Sequence, residues 1–198
     1  MGYIVIDRKE YMRSTYSKYW KNARKNVYGF MEYDKAFITL IESFSNKLGK
    51  ILEVAIGTGE PIANNLQKIG YSVYGIDISD RLIDECKKNN ENIRCEVGDA
   101  EQLKFANAEF DLIYCVHSSW FIPDLNKAVT EMVRVSKRGG VVLFDILNMH
   151  NREIEKIYRF HIFENGTAIG MLYKTIKNSV KFILQKGTQG SSPKSSVK

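Results

Sequence analysis

Apolar positions change their spacing along this chain, and the changes mark out its elements. From Lys9 to about Lys47 they fall at helical intervals. Tyr11, Tyr16, Tyr19 and Trp20 form an aromatic stripe, Phe37, Ile38, Leu40, Ile41 and Phe44 form an apolar face, and Gly29 breaks the segment between them. From Lys50 onward short apolar runs take over, and Lys50–Ile56, Tyr71–Asp77, Ile93–Val97, Phe110–Val116 and Val141–Leu147 read as five strands. Between them Ile62–Ile69 reads as a helix closed by Gly70, and Ser79 caps a helix running to about Asn89. Asp124 caps another, with Leu125, Ala128, Val129, Met132 and Val133 inward, that stops at Gly139-Gly140. Past Asn148 the pattern thins. Glu153–Phe163 reads as helical, and Ile169, Leu172, Ile176, Val180, Ile183 and Leu184 step mostly by three and four, again as in a helix. The closing GTQGSSPKSSVK is expected to be a flexible tail.

Strands alternating with helices at this spacing imply β-α-β units with right-handed crossovers. The expected fold is α/β, a doubly wound, mostly parallel Rossmann-like sheet with helices on both faces. The expected organisation is an N-terminal helical cap over 1–49, a ligand-binding core over 50–148, a C-terminal helical segment over 149–186 and a tail over 187–198. Composition agrees with a packed domain, since 198 residues at 44% hydrophobic, with only 3 Pro, supply a real core. No run of 18 apolar residues predicts a membrane span. MGYIVIDRKE lacks a signal-peptide apolar region and cleavage site, and Ile6 stands where myristoylation needs Ser or Thr, so a cytoplasmic location is expected. Cys86, Cys95 and Cys115 are odd in number and far apart, which draws neither a disulfide framework nor a metal knuckle and implies buried thiols. His117, His150 and His161 show no ligand spacing, so no metal is expected.

Charge is unevenly placed. Residues 1–50 carry ten Lys/Arg against five Asp/Glu, 51–147 carry ten against fifteen, and 148–198 carry nine against three. Basic ends thus flank an acidic centre. They read either as solvated helix faces or as a cap attracting an anionic substrate, whether metabolite, nucleic acid or lipid head group.

The chemistry-bearing residues fall at strand ends, where open parallel sheets bind ligands. The loop after the first strand, Glu53-Val-Ala55-Ile-Gly57-Thr-Gly59, is small enough for close backbone approach and precedes a helix N-terminus. Asp77 ends the second strand, where a carboxylate accepts bonds from two ribose hydroxyls, and Asp99 ends the third, where one takes an adenine amine. Three such features at successive strand ends point to an adenosyl ligand. A dinucleotide fingerprint needs a third glycine where Ile62 stands, which disfavours a nicotinamide oxidoreductase.

This arrangement resembles the class I S-adenosylmethionine-dependent methyltransferases, closest to their small-molecule branch, over roughly residues 48–148. The matching motifs are Glu53-x-Ala55-x-Gly57-x-Gly59, Tyr-Gly-Ile-Asp77-Ile-Ser, Gly98-Asp99-Ala100-Glu-Gln-Leu, Phe-Asp-Leu-Ile-Tyr-Cys-Val-His117, and Arg134-Val-Ser-Lys-Arg-Gly-Gly-Val-Val-Leu-Phe-Asp145. The resemblance implies S-adenosyl-L-methionine as cofactor and S-adenosyl-L-homocysteine as product. Ala55, Gly57 and Gly59 would hold the methionine moiety, Asp77 the ribose, Ile78 the adenine face, and Asp99 and Ala100 the adenine edge. His117 would lie beneath the methionine and sulfonium, and Glu53 would orient the loop. Two departures stand out. Ala55 replaces the usual first glycine, and the antiparallel strand pair that normally follows strand five is not apparent in a C-terminal region that reads as helical.

The implied reaction is an in-line displacement that chiefly needs proximity, alignment and desolvation, with a base only for hydroxyl or ammonium acceptors. His117 is the first candidate base, as well as a candidate cofactor contact or structural histidine, with His150 and the N-terminal tyrosines behind it. Trp120 and Phe121 are candidates for the acceptor wall or for core. The favoured acceptor is a small, possibly phosphorylated, molecule. An RNA acceptor is the alternative suggested by the basic ends, although no base-flipping or stacking motif accompanies them. A cofactor-binding but non-catalytic subunit, or a truncated chain needing a partner, is the third reading.

Overall fold

The computed structural model describes residues 7–16, 32–44, 49–147 and 180–186. Helix α1 (Arg8–Tyr11) is capped by Asp7, whose carboxylate accepts the Lys9 and Glu10 N–H groups, and continues into one π-type turn (Met12–Tyr16). Helix α2 (Glu32–Phe44) follows. The core then alternates β1 (Lys50–Val54), α3 (Ile62–Lys68), β2 (Ser72–Asp77), α4 (Asp80–Asn89), β3 (Arg94–Val97), β4 (Phe110–Cys115), α5 (Leu125–Val135) and β5 (Ser136–Leu147), with β6 (Val180–Lys186) last. The strand order is β3-β2-β1-β4-β5-β6. The first five are parallel, and β6 runs antiparallel to β5, pairing Leu143 with Leu184 and Asp145 with Phe182.

Both sheet faces are covered, as a parallel sheet requires. Alternate strand residues sort to two apolar clusters. Ile51, Val73, Leu112, Tyr114, Val141 and Leu143 meet Phe37 and Ile41 of α2, Leu66 of α3 and Ile83 of α4. Leu52, Val54, Ile76, Ile113, Val142 and Phe144 meet Met132 and Val135 of α5. Ser79 and Asp124 cap their helices as their types predict, accepting the Leu82 and Lys127 N–H groups. The three cysteines are free and buried.

Two expectations need correction. First, the helix expected to run to Gly139-Gly140 ends at Val135. Its last carbonyls, on Arg134 and Val135, accept the Ala108 and Glu109 N–H groups ahead of β4, and Ser136 is already paired with Phe110. The glycines serve a bulge: Lys137–Gly140 stand opposite Asp111 alone, Gly139 has φ +80°, and Lys137 Nζ bridges both Asp111 carboxylate oxygens at 2.8 and 2.9 Å. Second, Val180, Ile183 and Leu184, read as one end of a helix, lie in β6. The outer edge of β5 offers a row of backbone donors and acceptors, and pairing with a Val-Lys-Phe-Ile-Leu-Gln-Lys segment outweighs its helical spacing. One antiparallel strand therefore covers β5, where the pair had seemed to be missing. The rest of the expected C-terminal helical segment, the tail, Gly29, Tyr19, Trp20, His150 and His161 lie outside the described residues.

Candidate functional site

The loop after β1 folds on alternate left-handed residues, with Ala55 at φ +61°, Gly57 at +59° and Gly59 at +78°. This is the physical content of the alternating small-residue pattern. At Gly59 a side chain is excluded twice over, because a Cβ would lie 2.9 Å from Asn90 Nδ2 and 3.0 Å from Cys86 Sγ. Ala55 adopts the same conformation with its methyl in place, at a cost of about 1–2 kcal/mol. The loop is stitched to its neighbours: Ile56 N–H donates to the Ile76 carbonyl, Gly57 N–H to Asp77 Oδ2 at 2.9 Å, and Asn90 Nδ2 to the Thr58 carbonyl at 3.0 Å.

Beside this loop opens a cleft of about 720 Å³, mouth included, walled by Ala55, Gly57, Asp77, Ile78, Leu82, Asp99, Ala100 and Phe121, with Lys9 of α1 and Met12 of the turn after it also in its wall. It is an apolar slot with one carboxylate at the end of β2 and another just past β3, hydrogen-bond acceptors that fit the hydroxyls of a ribose and the amine of a flat base. Asp77 is buried, and its oxygens accept the Gly57 and Ser79 N–H groups, each at 2.9 Å. Burial pushes its carboxyl up to about 6, only partly offset by the N–H groups of Ser79, Gly57 and Ile78.

Asp99 is more open, with 30% of its side chain exposed. Its Oδ2 lies 2.7 Å from Lys9 Nζ, and its Oδ1 accepts the Glu101 N–H at 2.9 Å. Burial raises its carboxyl, but the bonds from Lys9 and the Glu101 N–H, with the charges of Lys9 and Arg13, outweigh it and hold it below its ordinary value. The Lys9 ammonium also meets Glu101 Oε2 at 2.8 Å, and these two carboxylates push its pKa up. Tyr11 and Met12 complete the contact by packing with Phe121 on the buried Leu82.

The strand order reverses between β1 and β4. His117 stands at the carboxyl end of β4, two residues past it, with φ +60°. Its N–H donates to Oδ2 of the buried Asp145 at 2.8 Å, and its ring Nε2 lies 3.0 Å from Asp34 Oδ1. Asp34 shares the inward face of α2 with Phe37, Ile38 and Ile41, and is 1% exposed. Phe37 in turn packs on Tyr114, whose hydroxyl donates to Glu53 Oε2 at 2.8 Å. Ser119 Oγ donates to the Asp145 carbonyl, and the buried Trp120 Nε1 has no partner among the described residues.

The expected residues thus divide. Ala55, Gly57, Asp77, Ile78, Asp99 and Ala100 wall the cleft, whereas Glu53, Gly59 and His117 are not among its lining residues. Lys9, Asp34 and Asp145 were not expected. A polar residue at the head of the α2 apolar stripe was the available sign for Asp34, and a carboxylate interrupting the apolar run Val141–Leu147 was the sign for Asp145. Among the described residues no cluster of three His, Cys, Asp or Glu side chains is placed to hold a metal, and no helix is long and apolar enough to cross a membrane.

The chain is similar to known proteins in sequence and in fold. A family profile described as "Methyltransferase domain" matches residues 52–144. The ubiquinone/menaquinone biosynthesis C-methyltransferase UbiE of Rickettsia prowazekii is 26% identical over 157 residues, covering 73% of this chain. The chain spans 63% of the length of that relative. Among solved structures, a TehB-like SAM-dependent methyltransferase from Corynebacterium glutamicum superposes with a TM-score of 0.55 at 26% identity, over 67% of this chain and 71% of that one. A SAM-dependent methyltransferase from Methanosarcina mazei superposes with a TM-score of 0.56 over 61% of this chain and 64% of that one, at 24% identity, a likeness of fold.

Proposed function

Because the chain belongs to the class I S-adenosylmethionine-dependent methyltransferases, we propose that it methylates a small-molecule acceptor in the cytoplasm. The observation that carries this is the apolar slot flanked by Asp77 and Asp99, set against a loop of three left-handed residues. In this reading Asp77 accepts the ribose hydroxyls, Ile78 covers one adenine face, and Asp99 and Ala100 meet the adenine edge. Ala55 and Gly57 hold the methionine moiety, while Gly59, packed close to Asn90 and Cys86, and Glu53, fixed by Tyr114, shape and orient their loop. Bound there, the cofactor supplies a methyl group activated by its sulfonium charge, transferred by in-line displacement with S-adenosyl-L-homocysteine as product.

His117 then stands at the acceptor side. With its Nε2–H donated to Asp34, the basic nitrogen of the ring is Nδ1, which takes the acceptor's proton, and the Asp34 carboxylate stabilises the imidazolium that results. Its left-handed backbone, held by Asp145, fixes the ring's direction. The small-molecule acceptor is supported by relatives named for C-methylation in quinone biosynthesis.

Calorimetric titration with S-adenosylhomocysteine tests the site: micromolar binding is expected, weakened at least a hundredfold in Asp77→Ala. Labelled S-adenosylmethionine with a metabolite extract tests the reaction, and His117→Ala is expected to slow any transfer without changing S-adenosylhomocysteine affinity. A folded chain that does not bind would remove the reading. One that binds but labels nothing would leave a non-catalytic subunit.

A further inference from the structure

Helix α1 has four residues and one following turn, far too short to hold its place by hydrogen bonds of its own. Its position over the cleft depends on what it touches. Tyr11 and Met12 rest on Leu82, as Phe121 does, and Lys9 bonds two carboxylates, Asp99 and Glu101, that lie 90 and 92 residues away in sequence. Both carboxylates are themselves pinned by backbone. Asp99 Oδ1 takes the Glu101 N–H at 2.9 Å, and Glu101 Oε1 takes the Asp124 N–H at 3.1 Å. The lysine therefore closes onto a rigid anionic seat. Each carboxylate oxygen has two lone pairs, so Asp99 can accept from Lys9 and still receive a base amine. With α1 in place the cleft stays open at its mouth, which makes α1 a wall and not a plug.

Resting on the cofactor assignment above, we propose that Lys9 is a positioning residue whose ion pairs with Asp99 and Glu101 fasten α1 as a wall along the adenosyl end of the cofactor, so that loosening this clasp removes the wall and speeds cofactor release. Release is then sensitive to ionic strength for a reason that lies in the protein. S-adenosylhomocysteine carries an ammonium and a carboxylate and no net charge, so salt acting on its dissociation reports the clasp, whose lysine side chain is 27% exposed.

The test follows dissociation of tritiated S-adenosylhomocysteine from the full chain between 50 and 500 mM NaCl, roughly 14 to 4 Å of Debye length. The wild-type rate is expected to rise about tenfold over this range, the size of one charge-assisted bond. Lys9→Met keeps the stem and loses the charge, so it is expected to release about tenfold faster at low salt with no further rise. Lys9→Arg should restore both behaviours. Glu101→Gln preserves the acceptor for Asp124 and removes half the clasp, giving about threefold faster release, so the answer does not hang on one variant's folding. Lys9→Met with an unchanged rate overturns the proposal, as does faster release that keeps the wild-type salt dependence, which would make Lys9 a packing residue only. A wild-type chain that binds no S-adenosylhomocysteine overturns the cofactor assignment itself, an outcome distinct from binding that ignores Lys9.

Discussion

Asp77 and Asp99 end neighbouring strands of one sheet and face the same cleft, yet their surroundings push them in opposite directions. Asp77 is buried and answered only by neutral N–H groups, so desolvation dominates and its carboxyl is pushed up to about 6. Asp99 is partly open and answered by an ammonium, so it stays ionised well into acid. Neighbouring strands thus supply one carboxylate pushed up by burial and one held in its charged form, and the difference comes from how deeply each is buried and from a lysine on the N-terminal helix α1.

The contrast is sharpest in the pH dependence of cofactor binding. Ribose hydroxyls donate to ionised Asp77, so S-adenosylhomocysteine affinity should be flat above pH 7 and fall about tenfold per pH unit below about 6. Unfolding does not imitate this. Because the folded carboxyl titrates above its unfolded value of 3.8, the folded state holds the extra proton between about 4 and 6. The contribution of Asp77 to stability is full below the unfolded value and is lost as pH rises through about 6. Calorimetry beside thermal melts from pH 4.5 to 8 separates the two, and a flat affinity profile would break the assignment. Next in size, Asp99→Asn removes the seat of Lys9 and the charge at the adenine edge, and should weaken S-adenosylhomocysteine about tenfold while keeping the acid limb. Loss of that limb in Asp99→Asn would move the titration to the wrong carboxylate. Smallest is Ala55→Gly. It relieves a left-handed alanine at φ +61° but adds unfolded-chain entropy, so chemical denaturation should show between no change and about 1 kcal/mol of added stability.

Local pattern and local chemistry made much of this readable in the sequence. The five parallel strands, the caps at Ser79 and Asp124, and the carboxylates at positions 77 and 99 all follow from residues a few positions apart. What was not readable depends on partners far along the chain. Lys9 has nothing in its neighbourhood to mark it, since its carboxylates come from the loop past β3. Val180–Lys186 steps like a helix, and only the bare edge of β5 turns it into a strand. The Gly139-Gly140 pair looks like a helix stop until the pairing of Phe110 with Ser136 is seen to end the helix first. Asp34 announced itself faintly, as a carboxylate at the head of an apolar stripe, but its partner His117 lies 83 residues on.

The strand that completes the sheet also sets a clock on synthesis. Strand β5 ends at Leu147 and its cover begins at Val180. At ordinary translation rates the interval between them takes roughly 2–6 s, longer than many small domains need to fold. The parallel core can therefore assemble on the ribosome with its outer edge bare, and during those seconds the nascent chain offers a ready template to any other extended segment nearby.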